Sequence, residues 1–199
     1  MASLTEQIKE LRERTGAGMM ECKNVLTETG GDIEKAIELL RERGIAKAAK
    51  KAGREAREGL VVPYIHGNGR IGVLVEINCE TDFVARTEDF QSFAREIAMQ
   101  VAATAPLAVS SEGIDPALIE AERKVFREQA LQEGKPEAVV DKIVEGRVAK
   151  YLKEQTLLDQ DYIRDPDRKV GDLLNDAIAK LGENILIARF VRYELGGKS

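Results

Sequence analysis

This sequence predicts an α+β fold, and three features predict it. Up to about residue 58 the apolar residues recur at helical spacing. From Gly59 they alternate with period two. After a long return to helical period, the closing stretch alternates again. Together these give a three-helix bundle, then a core with a small antiparallel sheet, about three-stranded, covered by helices on one face.

The bundle is legible element by element. Ser3 and Glu6 have capping-box spacing, and Leu4, Ile8 and Leu11 follow on one helical face. Thr15 to Gly18, "TGAG", breaks that helix. Met19 to Thr29 makes the second, ended by Gly30-Gly31. Asp32 caps a third, with Ile33, Ala36, Ile37 and Leu40 facing inward, and Gly44 closes it. The run "AKAAKKAGREAR", Ala46 to Arg57, reads as a solvated basic helix leading outward. The boundaries expected are therefore 1–45 for the bundle, 46–58 for the basic helical linker and 59–199 for the α+β core.

In the core, Ile71, Val73, Val75, Ile77 and Cys79 share one face of a strand, and Asn68-Gly69 before them is a hairpin-turn signal. Pro63 places the first strand at a sheet edge or itself among that strand's first positions. Phe90, Phe93, Ala94, Ile97, Ala98 and Val101 form an apolar helical stripe. Two further helices are expected at 117–133 and 136–154, parted by Gly134. "DQDYIRDPDRK" reads as a loop or extended stretch, and 170–181 as a helix. In "GENILIARFVRYEL", Ile185, Ile187 and Val191 alternate against Leu186, Ala188 and Phe190.

Of the 199 residues, 43% are hydrophobic and 33% charged, which suits a folded chain with a strongly charged surface. The net charge of −5 argues against direct nucleic-acid binding. The polar N-terminus and the lack of a long apolar run predict no signal peptide, no membrane association and a cytoplasmic protein. Cys22 and Cys79 lie outside any metal-binding spacing, which fits a reducing compartment.

Chemical motifs are weak. "GNGRIG", Gly67 to Gly72, has the G-x-G-x-x-G spacing, but a strand follows where a phosphate site needs a helix N-terminus. A kinase-type glycine loop would need a lysine on the third strand and H-R-D and D-F-G motifs. After Lys51 the next lysine is Lys124, and neither motif occurs. The sole histidine, His66, cannot build a common zinc site alone. No carboxylate pair identifies itself as acid and base, so neither an enzyme nor a bound metal or cofactor is expected.

Two features remain without a settled reading. Met19 and Met20 are adjacent, about 100° apart on a helix, so both cannot face one core; one is core filler or both form an adaptable contact surface. Phe83 stands in "EINCETDFVAR", Glu76 to Arg86. If Thr81 caps one continuous helix, Phe83 shares a face with Phe90, Ala94 and Ile97 and fills the core. If the main helix starts at a second cap, Thr87, Phe83 sits on a short turn ahead of it. Both readings stand on pattern alone.

"LRERTGAGMMECKNVL" (Leu11 to Leu26), "EINCETDFVAR" and the closing "GENILIARF" together resemble the translation elongation factor Ts family, in that order and over essentially the whole chain. The length resembles its short form. The resemblance implies a guanine-nucleotide exchange factor for elongation factor Tu, with no cofactor of its own, the Mg²⁺ and GDP or GTP being bound by the partner. It implies that the bundle is ubiquitin-associated-like and docks on the nucleotide domain of Tu through Arg12, Met19 and Met20. It implies that Thr81, Asp82, Phe83 and Val84 enter a crevice of Tu and dislodge Mg²⁺. It further implies a homodimer, for which the C-terminal strand is a plausible seam. The alternatives are a ubiquitin-associated-like adaptor without exchange activity and a nucleotide-binding enzyme using the Gly67 loop.

Overall fold

The computed structural model describes residues 3–197. In chain order the elements are α1 (Leu4–Thr15), α2 (Met19–Glu28), α3 (Ile33–Ala49), β1 (Glu58–His66), β2 (Ile71–Cys79), α4 (Asp82–Ala85), α5 (Glu88–Thr104), α6 (Pro116–Gln132), α7 (Glu137–Gln155), β3 (Asp161–Tyr162), β4 (Asp165–Lys169), α8 (Val170–Leu181) and β5 (Ile185–Glu194). The fold is α+β, with a three-stranded antiparallel sheet in the order β1-β2-β5 and a two-stranded β3-β4 ribbon. The chain forms two compact units. One holds the residues up to Leu60 with Asn78–Phe93 and Asp172–Leu186; the other holds Val61–Ile77, Ala94–Gly171 and the residues from Ile187.

In the first unit the bundle forms as its caps dictate. The Ser3 hydroxyl accepts from the Glu6 amide and the Glu6 carboxylate accepts from the Ser3 amide, which satisfies two otherwise orphaned donors. Gly16 ends α1 at φ 68°, a left-handed conformation that costs glycine nothing. Asp32 caps α3 through the Lys35 amide. Leu11, Cys22, Val25, Leu26 and Ala36 form the bundle core, flanked by Ile8, Ile33, Ile37 and Leu40.

One boundary differs. Helix α3 runs through Gly44 to Ala49 instead of closing there. Gly44 is buried against α8, where a Cβ would sit 3.7 Å from Asp176 Oδ1 and 3.8 Å from the Ala179 methyl. Arg41 also pairs with Asp172 at the start of α8, at 2.6 Å. Gly44 continues the helix where it meets α8 and does not end it, and a Cβ there would make only ordinary contacts.

In the second unit the glycines of "GNGRIG" serve a hairpin. Gly67, Asn68 and Gly69 have φ of 59°, 56° and 87°, and the Arg70 amide donates to the His66 carbonyl. A turn of consecutive left-handed residues needs Gly or Asn, so the motif's composition is explained by chain reversal. His66 stacks on Tyr64 at this exposed end, with Nδ1 3.0 Å from the tyrosine oxygen. On β2, Val73, Val75 and Ile77 are buried and Leu74 is exposed, as period two requires. Arg192 of β5 donates to the Ala102 carbonyl, which sets β5 against the end of α5. Helices α6 and α7 form a hairpin closed by Ala130, Val140, Val144 and Val148, with Phe126 edge-on to Tyr151.

The "DQDYIRDPDRK" stretch, expected as a loop or extended, takes the extended form as the β3-β4 ribbon. It is fastened by side chains of α5: the buried Gln100 donates to the Asp161 carbonyl and accepts from the Ile163 amide, and Glu96 accepts from the Tyr162 hydroxyl. Such long-range side-chain bonds have no local periodicity. On β5 the burial phase slips by one after Ala188, so Phe190 and Arg192, not Val191, are the more sheltered positions.

Candidate functional site

Phe83 decides where to look. It is 80% exposed, whereas isolated large aromatics usually bury most of their surface. Its exposure follows from two successive caps. The Thr81 hydroxyl accepts from the Val84 amide at 3.4 Å and starts α4, which is four residues long. The chain then breaks at Arg86-Thr87, and the Thr87 hydroxyl accepts from the Phe90 amide at 3.2 Å to start α5. That break rotates Phe83 off the buried stripe, where Phe90 is 0% exposed. The core-filling reading of Phe83 is therefore excluded for this chain.

The turn is built from polar contacts more than from packing. Of α4 only Ala85 is buried. Asp82 pairs with Arg86 at 2.8 Å across one helical turn, an exposed pair worth little by itself. The Thr81 hydroxyl donates to Glu183 Oε1 at 2.6 Å, and Cys79 Sγ donates to the Thr81 carbonyl at 3.1 Å. Glu183 is the participant that sequence reasoning missed. Its only signal was its place in "GENILIARF", and nothing local ties that stretch to Thr81.

Arg12, Met19 and Met20 belong to the same compact unit as Thr81 to Val84. All three are exposed, Met19 at 59% and Met20 at 66%, because Gly18 opens α2 with both methionines turned away from the bundle core. Neither methionine fills the bundle core. The Lys180 ammonium of α8 donates to Asp89 at the start of α5 and stands 3.8 Å from where a Gly16 Cβ would be. The same unit thus presents an exposed aromatic turn and an exposed methionine pair. Flexible, polarizable and apolar, they suit a protein partner better than a small polar substrate.

Among the described residues no group of three or more His, Cys, Asp or Glu side chains is arranged to hold a metal ion. None of their helices is long and apolar enough to cross a membrane. Both cysteines are buried thiols. Burial, and next the nearby Glu183 carboxylate, push the Cys79 thiol up to about 11. An unfolded thiol ionises near pH ~8.5. The unfolded chain thus binds fewer protons than the folded one between those values, and stability falls as pH rises through that window. The thermal midpoint should decline across it, and less steeply in Cys79→Ala. Parallel slopes for the two proteins would show that Cys79 does not contribute.

A family model described as elongation factor TS matches residues 2–197. The elongation factor Ts of Caldanaerobacter subterraneus subsp. tengcongensis is 63% identical over 191 residues, covering 96% of this chain and 96% of the relative. That of Carboxydothermus hydrogenoformans is also 63% identical, over 96% of this chain and 88% of the relative. That of Nitratidesulfovibrio vulgaris is 58% identical over 100% of this chain and 99% of the relative. With a match along nearly its whole length, and the motif-bearing turn presented as described, the chain belongs to the elongation factor Ts family.

Proposed function

We propose that this protein is a guanine-nucleotide exchange factor for elongation factor Tu, acting in the cytoplasm through the Asp82-Phe83 turn. The observation that carries the reading is the 80% exposure of Phe83 on a hydrogen-bonded turn. An aromatic held outside its own core is ready to be buried in a partner's. Residues 1–45 dock on the nucleotide domain of Tu through Arg12, Met19 and Met20. Residues 46–58 link to the core, 59–199, which carries the exchange element and whose C-terminal part touches a second domain of Tu.

The mechanism needs no covalent chemistry. Thr81 to Val84 enter a crevice of Tu, and burial of the Phe83 ring offsets the distortion this causes there. Mg²⁺ held by Tu demands near-octahedral geometry, so a small displacement of its ligands weakens it, and with it the diphosphate it neutralises. Coupling is reciprocal: GDP must weaken this protein's binding to Tu by the factor by which this protein weakens GDP.

The test is release of a fluorescent GDP from Tu. Addition of this protein should accelerate release, and GDP should compete with its binding to Tu. Binding to Tu without faster release would identify an adaptor and overturn the reading. We further propose a homodimer. In the second unit the sheet exposes Val61, Ile65, Leu74 and Tyr193, and β5 is an edge strand of the sheet. Sedimentation at micromolar concentration should give twice the chain mass, and a monomer mass would refute it.

A further inference from the structure

The corner between β2 and α4 is held from a distant part of the chain. As the backbone leaves β2, the amides of Glu80 and Thr81 turn to Glu183, donating to its Oε2 at 3.1 and 3.0 Å. With the Thr81 hydroxyl on Oε1, one carboxylate takes three hydrogen bonds from two adjacent residues, more than 100 positions away in sequence. The grip is returned. Glu80 Oε1 accepts from the Asn184 amide at 2.6 Å and lies 3.6 Å from Arg54 Nη1. The buried Asn184 side chain donates to the Arg54 carbonyl at 2.7 Å. Glu80-Thr81 and Glu183-Asn184 thus clasp each other crosswise.

A four-residue helix has no stability of its own, since nucleation alone is unfavourable. Here α4 buries only Ala85, so packing does little to fix its direction. Hydrogen bonds to an ionised carboxylate are the stronger kind, and the three on Glu183 join the strand end to the cap of the turn. We propose that Glu183 is a positioning residue for the Phe83 turn: it holds the turn in its competent direction before any partner arrives. This rests on the reading of that turn as the exchange element.

Removal of the carboxylate has a specific expected consequence. Glu80, Thr81 and the Thr81 hydroxyl lie at or near the surface and can bond to water instead, so the fold persists. The turn then samples other directions. If about a tenth of molecules hold the competent one, the maximal exchange rate falls about tenfold. The Arg12, Met19 and Met20 surface is untouched, so the half-saturating concentration stays within about twofold.

The experiment measures GDP release from Tu, over a range of factor concentrations, for wild type, Glu183→Ala, Glu183→Gln, Phe83→Ala and the Phe83→Ala/Glu183→Ala double variant. Amide resonances of Glu80 and Thr81 are recorded in each. Expected are a lower maximal rate with unchanged half-saturation in Glu183→Ala, a smaller loss in the near-isosteric Glu183→Gln, and shifted Glu80 and Thr81 amides in both. In the Phe83→Ala background Glu183→Ala should add nothing, because it acts through that ring. Should Glu183→Ala fail to fold, Glu183→Gln carries the same comparison. A wild-type rate in the folded Glu183 variants, with Phe83→Ala slow, overturns this proposal alone. An additive loss in the double variant also overturns it. A wild-type rate in Phe83→Ala overturns the turn's role in exchange and this proposal with it.

Discussion

Phe83→Ala should abolish most exchange activity while leaving the protein as stable as before. The ring is 80% exposed, so its removal takes little from the core, and changes at such surface sites usually stay within about 0.5 kcal/mol. If the ring is buried in Tu as GDP leaves, the variant forfeits about 1.5–3 kcal/mol of burial there. At 1.36 kcal/mol per factor of ten, that is a loss of roughly 10- to 150-fold in release rate. Stopped-flow release and thermal unfolding of the same preparation give both numbers. A variant that unfolds early and loses activity only in proportion would return Phe83 to the core.

Phe90→Ala should do the reverse. It stands at i+7 from Phe83 on the sequence pattern, yet it is 0% exposed and among the largest fully buried side chains. Truncating a buried phenylalanine costs about 3–5 kcal/mol, through lost transfer energy and the cavity left behind. Domains of this size shift their midpoint by about 2–4 °C per kcal/mol, so a fall of roughly 10 °C is expected. What remains folded at low temperature keeps the Phe83 turn and should exchange at close to the wild-type rate per folded molecule. Equal stability of Phe90→Ala and wild type by urea titration would contradict the buried assignment.

These two phenylalanines show where pattern reading reaches its limit. Periodicity leaves Met19-Met20 and Phe83 each between two roles, because it records spacing and not which turn is broken. At Phe83 the issue rests on whether Thr87 starts a new helix; threonine favours a cap, but it also occurs inside helices that tertiary packing holds together. The same ambiguity misplaced the end of α3. Gly44 resembles a terminator, yet α3 runs through it where it meets α8. In "DQDYIRDPDRK" the extended form is legible but the β3-β4 pairing is not, because Gln100 and Glu96, which secure it, lie on α5.

By itself the sequence determined what short-range physics controls: the Ser3 and Asp32 caps, the Asn68-Gly69 reversal, the buried face of β2, and the family signature that its motifs compose. It also placed Thr81 to Val84 where a strand meets a helix. Only the tertiary structure decided that Phe83 points outward and that Glu183 holds the corner beneath it. Exposure depends on what the rest of the chain covers. A carboxylate reaching two amides and a hydroxyl from more than 100 residues away leaves no periodic trace, because its geometry exists only once the chain has folded.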